Sequence, residues 1–379
     1  MIYLDSAATS FQKPPEVAAA VTRAMAECSS PGRGGYPAAV KAAELAFDCR
    51  SELQEMFEAD SPEQVVFTMN ATHALNIAIK SLVPPKGRVV ISGYEHNAVT
   101  RPLAVLEAQI IVAAAPLFSP EETVAAFMDA ITPETDAVIC THVSNVFGCV
   151  LPVERIGALC RDRGIPLIID ASQSAGVLPL SMESTGAAYI AMPGHKGLYG
   201  PQGTGVLLCG TDVKTRPLLE GGTGSNSLRQ EMPDFLPDRL EAGTHNIPGI
   251  AGLLSGVRFV RGRSLQKICA AERRLAAVAA EGLRQLPGVE VFARNDLFDQ
   301  CGVVSFRCAG VDAETVGQRL AERGIAVRAG LHCAPLAHRT AGTQDTGTVR
   351  VSFSAFNTKE EVFRFLHAAE TVIFAQDHE

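Results

Sequence analysis

Two segments carry the residues on which the fold prediction rests. The first, Pro166-Leu-Ile-Ile-Asp170, is an apolar run closed by a carboxylate and followed by Ala-Ser-Gln173. The second, Ala191-Met-Pro-Gly-His195-Lys196, places a lysine among glycines, 26 positions beyond Asp170. Each segment predicts a buried strand that ends at a polar side chain. Taken alone, a lysine in a glycine-rich turn is more simply explained as a solvated charge.

Short β-rich runs alternate with helical patterns through the first two thirds of the chain. The runs are 64–68, 88–92, 109–113, 137–141, 166–170, 187–192 and 204–209. Such alternation predicts an α/β fold with a mainly parallel, seven-stranded sheet and helices on both faces. Functional residues then lie at the carboxyl ends of the strands. The apolar run from Ile110 to Leu117 is expected to form a buried strand.

The pattern changes after about residue 247. Helical segments at 250–262 and 265–286 are followed by strand candidates at 289–292, 302–307, 325–328 and 348–353, with helices at 312–323 and 359–374. This mixture is typical of a smaller α+β domain. We predict a large domain over residues 14–250 and a small domain formed by residues 1–13 and 251–379, with the helix at 250–262 as the hinge.

Composition limits the classes of function. The 379 residues carry a net charge of −8, which argues against nucleic acid or an anionic membrane surface as the main partner. The opening Met1-Ile-Tyr-Leu-Asp5 lacks the basic and apolar regions of a secretory signal, so we expect a cytoplasmic protein. The 10 cysteines include no CxxC pair, and in a reducing compartment most should be small buried hydrophobes.

Asp170 and Lys196 together fit pyridoxal phosphate. A lysine amine forms a Schiff base with the aldehyde of this cofactor, and a carboxylate keeps the pyridine nitrogen protonated so that the ring accepts electrons. Asn70-Ala71-Thr72 lies between a β-rich run and a helical pattern. Such a turn supplies the helix start that a phosphate group needs.

Nearly the whole chain resembles the class V aminotransferase fold family of pyridoxal-phosphate enzymes, which have the fold type I of these transferases. Within it, the chain is similar to the NifS-like and SUF-like cysteine desulfurases and selenocysteine lyases. The resemblance is carried by the order and spacing of Tyr3-Leu-Asp-Ser-Ala-Ala8, Asn70-Ala-Thr72, Glu95-His96-Asn-Ala98, Thr141-His-Val-Ser-Asn145, Asp170-Ala-Ser-Gln173, Gly194-His-Lys196, Glu241-Ala-Gly-Thr244, Arg328-Ala-Gly-Leu-His-Cys333 and Arg350.

This resemblance implies a role for each matching residue. The implied catalytic residues are Lys196 as the Schiff-base lysine, Cys333 as the sulfur nucleophile and His96 over the cofactor ring. The implied cofactor-binding residues are Ala71, Thr72, His96, Asn145, Asp170, Gln173, His195, Lys196 and, from the other subunit of a homodimer, Thr244. The implied substrate-binding residues are Asn145, Arg328, His332 and Arg350. No metal is implied.

Several of these residues have simpler interpretations. His96 can cap a helix, Asn145 can be a turn residue before Gly148, and Arg350 can form an ordinary surface ion pair. Cys333 can be one more buried thiol, although Arg328 and His332 beside it would supply the positive charge that favours a thiolate. His332, Cys333 and His338 are residue types that bind metals, but a fourth ligand is missing, which makes a metal site the poorer interpretation.

The implied reaction converts L-cysteine to L-alanine and leaves a persulfide on Cys333, which then passes its sulfur to an acceptor protein or a small thiol. L-selenocysteine is an alternative substrate. Two other readings stay open: an aminotransferase or epimerase in which Cys333 is not essential, and a catalytically inactive fold that scaffolds a sulfur-transfer partner. The destination of the sulfur also stays open among iron–sulfur cluster assembly, tRNA thiolation and a selenium or cofactor pathway.

Two details qualify the resemblance, and one further segment agrees with it. Pro193 stands where many relatives carry a serine or threonine that binds the phosphate, and proline offers neither a hydroxyl nor an N–H. Only 17 positions separate Cys333 from Arg350, a short cysteine loop like that of the SUF-type group. Arg33-Gly-Gly-Tyr36 matches a segment that lies near the active site in relatives.

Overall fold

The computed structural model describes residues 1–32, 34–296 and 299–374. Within these residues the strands form three sheets. In chain order the strands are β1 (Ile2–Tyr3), β2 (Val65–Thr68), β3 (Arg88–Ser92), β4 (Gln109–Ala113), β5 (Ala137–Thr141), β6 (Leu167–Asp170), β7 (Tyr189–Pro193), β8 (Gly205–Cys209), β9 (Val289–Phe292), β10 (Val303–Cys308), β11 (Ile325–Ala326), β12 (Arg328–Gly330) and β13 (Thr348–Ser352).

The α-helices of the same residues lie between and beside these strands. They are α1 (Pro15–Glu27), α2 (Pro37–Phe57), α3 (Ala71–Leu82), α4 (Asn97–Val105), α5 (Pro120–Ala130), α6 (Val153–Arg163), α7 (Met182–Thr185), α8 (Ile247–Arg263), α9 (Leu265–Arg284), α10 (Ala313–Glu322), α11 (Pro335–Thr340) and α12 (Lys359–Phe374). Proline opens α1, α2, α5 and α11, where its missing N–H has no partner to lose. None of these helices combines the length and apolar character needed to cross a bilayer.

The large sheet has seven strands in the order β2-β8-β7-β6-β5-β3-β4. Only β8 runs antiparallel to its neighbours, so the prediction of a mainly parallel seven-stranded sheet is confirmed. Apolar residues of α2, α5, α6 and α8 cover one face of the sheet, and those of α3 and α4 cover the other. Because β2, β3, β5, β6 and β7 all run in the same direction, their carboxyl ends lie at the same edge of the sheet.

The structure corrects the expectation that residues 110–117 form a buried strand. Strand β4 covers only Gln109–Ala113 and lies at the edge of the sheet, where four of its five residues keep some solvent exposure. An apolar run does not reveal whether a strand is central or at an edge, because an edge strand also covers a helix on one face.

The small sheet is antiparallel, with the order β12-β13-β10-β9, and it packs against α9, α10 and α12. The single strand predicted at 325–328 is wrong: it divides into β11, which pairs with the N-terminal β1, and β12, which belongs to the small sheet. Helix α8 runs across the predicted domain boundary at residue 250, and its apolar side chains belong to the core of the large sheet. The domain limits and the hinge stay predictions.

Candidate active site

A cavity lies at the edge where the parallel strands end. It encloses about 210 Å³ and is lined by side chains that follow five different strands. Every predicted cofactor-binding residue except Thr244 contributes to its wall: Ala71, Thr72, His96, Asn145, Asp170, Gln173, His195 and Lys196. Residues spread over 126 positions of sequence therefore meet in one place because the sheet brings the carboxyl ends of its strands together.

Asp170 and Lys196 set the charge of this cavity. Asp170 ends β6, is only 3% exposed, and accepts a hydrogen bond from the N–H of Ser172 at 2.9 Å. Burial lowers the pKa of Lys196 to about 8, with a smaller contribution from Arg350 and an opposing one from Asp170. A lysine with this pKa keeps part of its amine unprotonated near neutral pH, as a nucleophile or proton acceptor must.

His96 both caps a helix and lines the cavity. Its Nδ1 accepts a hydrogen bond from the N–H of Ala98 at 3.0 Å and so caps the N-terminus of α4. Burial lowers the pKa of His96, which favours the neutral ring. Since Nδ1 is the acceptor, the proton of that neutral ring is assigned to Nε2. His96 is therefore a helix cap, as its simpler interpretation has it, and it also lines the cavity.

The start of α3 offers two free N–H groups at the cavity. The side chain of Asn70 accepts from the N–H of His73 at 2.9 Å, and its carbonyl accepts from Ala74. The N–H groups of Ala71 and Thr72 have no acceptor among the described residues, and the positive end of the helix dipole lies with them. This is the donor set that a phosphate group requires.

His195 completes this end of the cavity. Its Nδ1 lies 3.0 Å from Oγ1 of Thr9. Burial, together with the charges of Lys196 and Lys13, lowers the pKa of His195 to about 4, so the ring is neutral at pH 7. With an amine, a buried carboxylate and a phosphate-type donor set on one wall, the residues present fit pyridoxal phosphate. Lys196, Asp170, Gln173, Ala71 and Thr72 are the residues that would hold it.

Thr244 lies apart from this cavity in the single chain. It is exposed and lines a second cavity of about 210 Å³ beside Glu241 and His245. Glu241 forms a bidentate ion pair with Arg50, with Nη1–Oε1 and Nη2–Oε2 distances of 2.8 and 2.6 Å, which fixes the start of this segment. The predicted contact of Thr244 with the other subunit's cofactor stays a prediction.

Three of the four predicted substrate-binding residues form one connected group. Nδ2 of Asn145 donates to the carbonyl of His332 at 2.8 Å, and Nη1 of Arg350 donates to the carbonyl of Asn145 at 2.8 Å. Arg350 is only 2% exposed, so its interpretation as a surface ion pair is wrong. Asn145 does lie in a turn before Gly148, but its side chain and its carbonyl are both used in this group.

Arg328 and Arg350 meet at a residue to which the sequence analysis gave no role. Asp5 accepts from Nη2 of Arg350 at 2.8 Å and pairs with Nη2 of Arg328 at 3.1 Å. The two arginines lie directly opposite each other on β12 and β13, and Asp5 reaches them from the segment after β1. Asp5 belongs to the segment Tyr3–Ala8, which carries part of the resemblance, but nothing in its spacing indicates partners more than 300 positions away.

Glu95 is a second buried carboxyl that the sequence analysis left without a role. It is fully buried next to His96, and its Oε1 accepts from the N–H of Thr141 at 2.7 Å, which ties the ends of β3 and β5 together. Burial raises the pKa of Glu95 to about 8, so it is mostly protonated at neutral pH.

Cys333 is the one exposed cysteine of the ten, all of which are described; seven are buried and two are half-buried. It follows β12 in a turn closed by a hydrogen bond from the N–H of Ala334 to the carbonyl of Leu331. The interpretation of Cys333 as a buried thiol is therefore wrong, and the remaining cysteines largely behave as the small hydrophobes that were expected.

His332 does not supply the positive charge expected beside Cys333. Its ring is buried, and Nε2 lies 3.1 Å from the carbonyl of Thr348. Burial, with a contribution from the charge of Arg350, lowers the pKa of His332 to about 2. The ring is neutral at any physiological pH and packs under the loop. Arg33, the first residue of the remaining segment noted in the sequence, lies outside the described residues.

Comparisons with known proteins agree with this geometry. The model of the family described as aminotransferase class-V matches residues 2–365. A relative named probable cysteine desulfurase from Methanothermobacter thermautotrophicus is 33% identical over 378 residues, which cover 95% of this chain and 92% of the relative. A probable cysteine desulfurase from Mycolicibacterium paratuberculosis is 32% identical over 98% of this chain, which spans only 55% of that relative's length.

Solved structures show the same similarity. The apo structure of a cysteine desulfurase from Thermococcus onnurineus NA1 superposes with a TM-score of 0.89 at 29% identity, covering 98% of this chain and 94% of the other. The crystal structure of a cysteine desulfurase from Escherichia coli gives a TM-score of 0.85 at 26% identity, with the same coverage. The predicted fold, that of the type I pyridoxal-phosphate transferases, is confirmed.

Proposed function

Because the chain belongs to the class V aminotransferase family, and within it to the pyridoxal-phosphate-dependent cysteine desulfurases, we propose that it removes sulfur from L-cysteine and holds it as a persulfide on Cys333. One observation carries this proposal. The only exposed thiol of the chain is anchored beside the cavity that holds Lys196 and Asp170, since the carbonyl of Cys333 accepts from the N–H of Asn97 at 2.8 Å.

The residues around the cavity divide the work of this reaction. When bound, pyridoxal phosphate supplies an electron sink for the substrate carbon that loses its proton. Asp170, buried at the end of β6, would supply the negative charge that keeps the ring nitrogen of the cofactor protonated. Lys196, with its pKa near 8, removes the proton from the substrate Cα and returns a proton at a later stage. His96 lines the cavity, and with Nδ1 used as an acceptor its Nε2 would be the N–H available to a bound cofactor or substrate.

The sulfur step belongs to Cys333. Its thiolate attacks the sulfur of L-cysteine, a sulfur–sulfur bond forms, and the carbon–sulfur bond of the substrate breaks. The electron pair of the broken bond passes to the substrate Cβ, which takes up a proton to become the methyl group of L-alanine. The substrate Cβ gains two electrons when its carbon–sulfur bond is replaced by a carbon–hydrogen bond, and the two sulfur atoms of the persulfide each lose one, so the step needs no external oxidant.

The α-carboxylate of the substrate is expected beside Arg350 and Asn145. A guanidinium suits this task because its planar fork matches a carboxylate. Arg328 and Arg350 together carry two positive charges, and Asp5 compensates one of them. One positive charge remains, which matches the single carboxylate of a monocarboxylic amino acid.

The finer assignments follow from exposure and from the cysteine loop. Thr244 is exposed on the single chain, and we propose that it reaches the other subunit of a homodimer. Helix α11 begins two residues after Cys333, so the loop is short and the thiol cannot travel far from the cavity. An acceptor protein or a small thiol therefore has to approach Cys333. Ten free cysteines fit the reducing cytoplasm as the compartment.

The test compares alanine and sulfide formation from L-cysteine and dithiothreitol by the wild type, Cys333→Ala and Cys308→Ala, all loaded with cofactor. Cys308 is a matched control because it is a half-buried thiol on β10. We expect Cys333→Ala to lose activity on L-cysteine by about a hundredfold or more and Cys308→Ala to keep it. L-selenocysteine is assayed in parallel, since retained activity on it alone fits direct release of selenium.

Three results would contradict the proposal in different ways. Full activity of Cys333→Ala would show that another group accepts the sulfur. Alanine formation only with an added keto acid would indicate an aminotransferase. A protein that takes up no pyridoxal phosphate would indicate the inactive scaffold.

A further inference from the structure

The loop that presents Cys333 has an unusual backbone. His332 and Cys333 both adopt left-handed conformations, with φ angles of 50° and 56°, and only Leu331 separates them from Gly330, whose φ is 99°. A non-glycine residue in this region costs about 1 kcal/mol or more, and two in succession are rare. Such a conformation persists only where the surroundings hold it in place.

Three contacts from outside the loop hold it. The N–H of Asn97 donates to the carbonyl of Cys333, and Nδ2 of Asn145 donates to the carbonyl of His332, both at 2.8 Å. The ring of His332 lies against Thr348 on β13. The contact from Asn145 is the one made by a side chain that also lines the cofactor cavity.

Asn145 is itself rigidly placed. It is 9% exposed, and its carbonyl accepts from the buried Nη1 of Arg350. Its side-chain amide has two N–H donors and one carbonyl, of which the loop uses one donor. The second donor and Oδ1 make no hydrogen bond to any described residue, so Asn145 can contact the cofactor or substrate without releasing the loop.

We infer that Asn145 is a positioning residue for the Cys333 loop, in addition to its predicted contact with cofactor and substrate. Its carbonyl accepts from Arg350, which is expected to bind the substrate carboxylate, and its side-chain amide donates to the backbone that orients the thiol. The inference rests on the proposed function, because it concerns the presentation of the proposed nucleophile.

The test measures how fast a neutral alkylating reagent, iodoacetamide, labels Cys333 in the substrate-free holoenzyme, with the site of labelling assigned by mass spectrometry. Asn145→Asp keeps the shape of the side chain but replaces the Nδ2 donor with an oxygen that faces the His332 carbonyl. The released loop presents the thiol over a wider range of orientations. We expect labelling of Cys333 to become about fivefold faster, the change that loss of one ordinary hydrogen bond produces.

Two controls separate positioning from other effects. Asn97→Ala removes a neighbouring side chain but keeps the N–H that holds Cys333, and its labelling rate should stay within about twofold of the wild type. The half-buried Cys28 and Cys308 report general loosening in the same sample. Unchanged or slower labelling of Cys333 in Asn145→Asp, or equal acceleration at Cys28 and Cys308, would overturn the inference. Because labelling needs no turnover, its result tests the role of Asn145 independently of the Cys333→Ala activity test.

Discussion

Replacing Asp5 by asparagine removes the one negative charge between two opposed arginines. Arg328 and Arg350 are direct cross-strand partners on β12 and β13, a placement in which like charges repel. Asp5 accepts from Nη2 of Arg350 at 2.8 Å and is 8% exposed, while Arg350 is 2% exposed. Asparagine keeps the shape and one acceptor but leaves the Arg350 charge buried without a counter-charge.

The expected loss follows from this burial. Breaking a buried ion pair by removing one partner costs about 3–5 kcal/mol, because the remaining charge stays desolvated. The pair with Arg328 adds little, since that side chain is 48% exposed. For 379 residues, an unfolding entropy of about 2.1 cal/mol/K per residue gives about 0.8 kcal/mol/K. A loss of about 3 kcal/mol then lowers Tm by about 4 °C if the chain unfolds as one unit, and by more if the small domain unfolds separately.

The assay is thermal unfolding, followed by circular dichroism, of Asp5→Asn and a matched control. Glu121 forms a bidentate pair with Arg155 at 2.6 and 2.7 Å, and both side chains are exposed. Glu121→Gln removes the same kind of charge in equally good geometry but without burial, so no measurable change in Tm is expected.

A double variant tests the stated cause. Asp5→Asn combined with Arg350→Met removes the stranded charge, and it should recover a good part of the Tm lost by Asp5→Asn alone. The reasoning is refuted if Asp5→Asn is no less stable than Glu121→Gln, or if the double variant is less stable than Asp5→Asn.

Two further predictions concern pH. The fraction of Lys196 with a neutral amine increases about tenfold per pH unit below its pKa of about 8. The rate of cofactor uptake by cofactor-free protein, measured by absorbance, should therefore rise from pH 6 to 8 and then level off. A rate that continues to rise up to pH 10 would contradict the lowered pKa. Glu272 on α9 is buried, accepts no hydrogen bond from a described residue, and has its pKa raised by burial from 4.5 to about 8. The folded state therefore holds a proton that the unfolded chain releases, and stability falls as pH rises through that window. Glu272→Gln should gain stability over the wild type by up to about 1.4 kcal/mol per pH unit between pH 5 and 8, and an equal Tm difference at both pH values would contradict this.

The common location of the residues predicted to bind the cofactor could be expected from the sequence, because local patterns determine where each of them lies. Asp170 and Lys196 each follow a recognisable strand, and Thr72 follows another, so strand alternation alone brings them to one edge. The same patterns did not show that β4 lies at the edge of the sheet. Strand order depends on which strands pair, which an apolar run does not encode.

The contacts among the residues predicted to bind the substrate could not be derived from sequence patterns, because they join segments that lie far apart in the chain. Asp5 and Arg350 are 345 positions apart, and no periodicity connects them. The strand predicted at 325–328 divides because β1 takes its first half as a partner. Burial also decided the state of His332: a histidine beside a cysteine suggests charge, but a buried ring next to Arg350 stays neutral.

The pairing of the N-terminal segment with β11 and β13 has a consequence for the order of folding. The residues that line the cavity beside Asp170 and Lys196 all lie before position 200, whereas Arg328, Cys333 and Arg350 come from the last third of the chain. During synthesis the large sheet can form before Asp5 has its partners, because these lie on β12 and β13, more than 300 residues later in the chain. An incomplete chain therefore contains the residues predicted to bind the cofactor but neither the arginines predicted to bind the substrate nor Cys333.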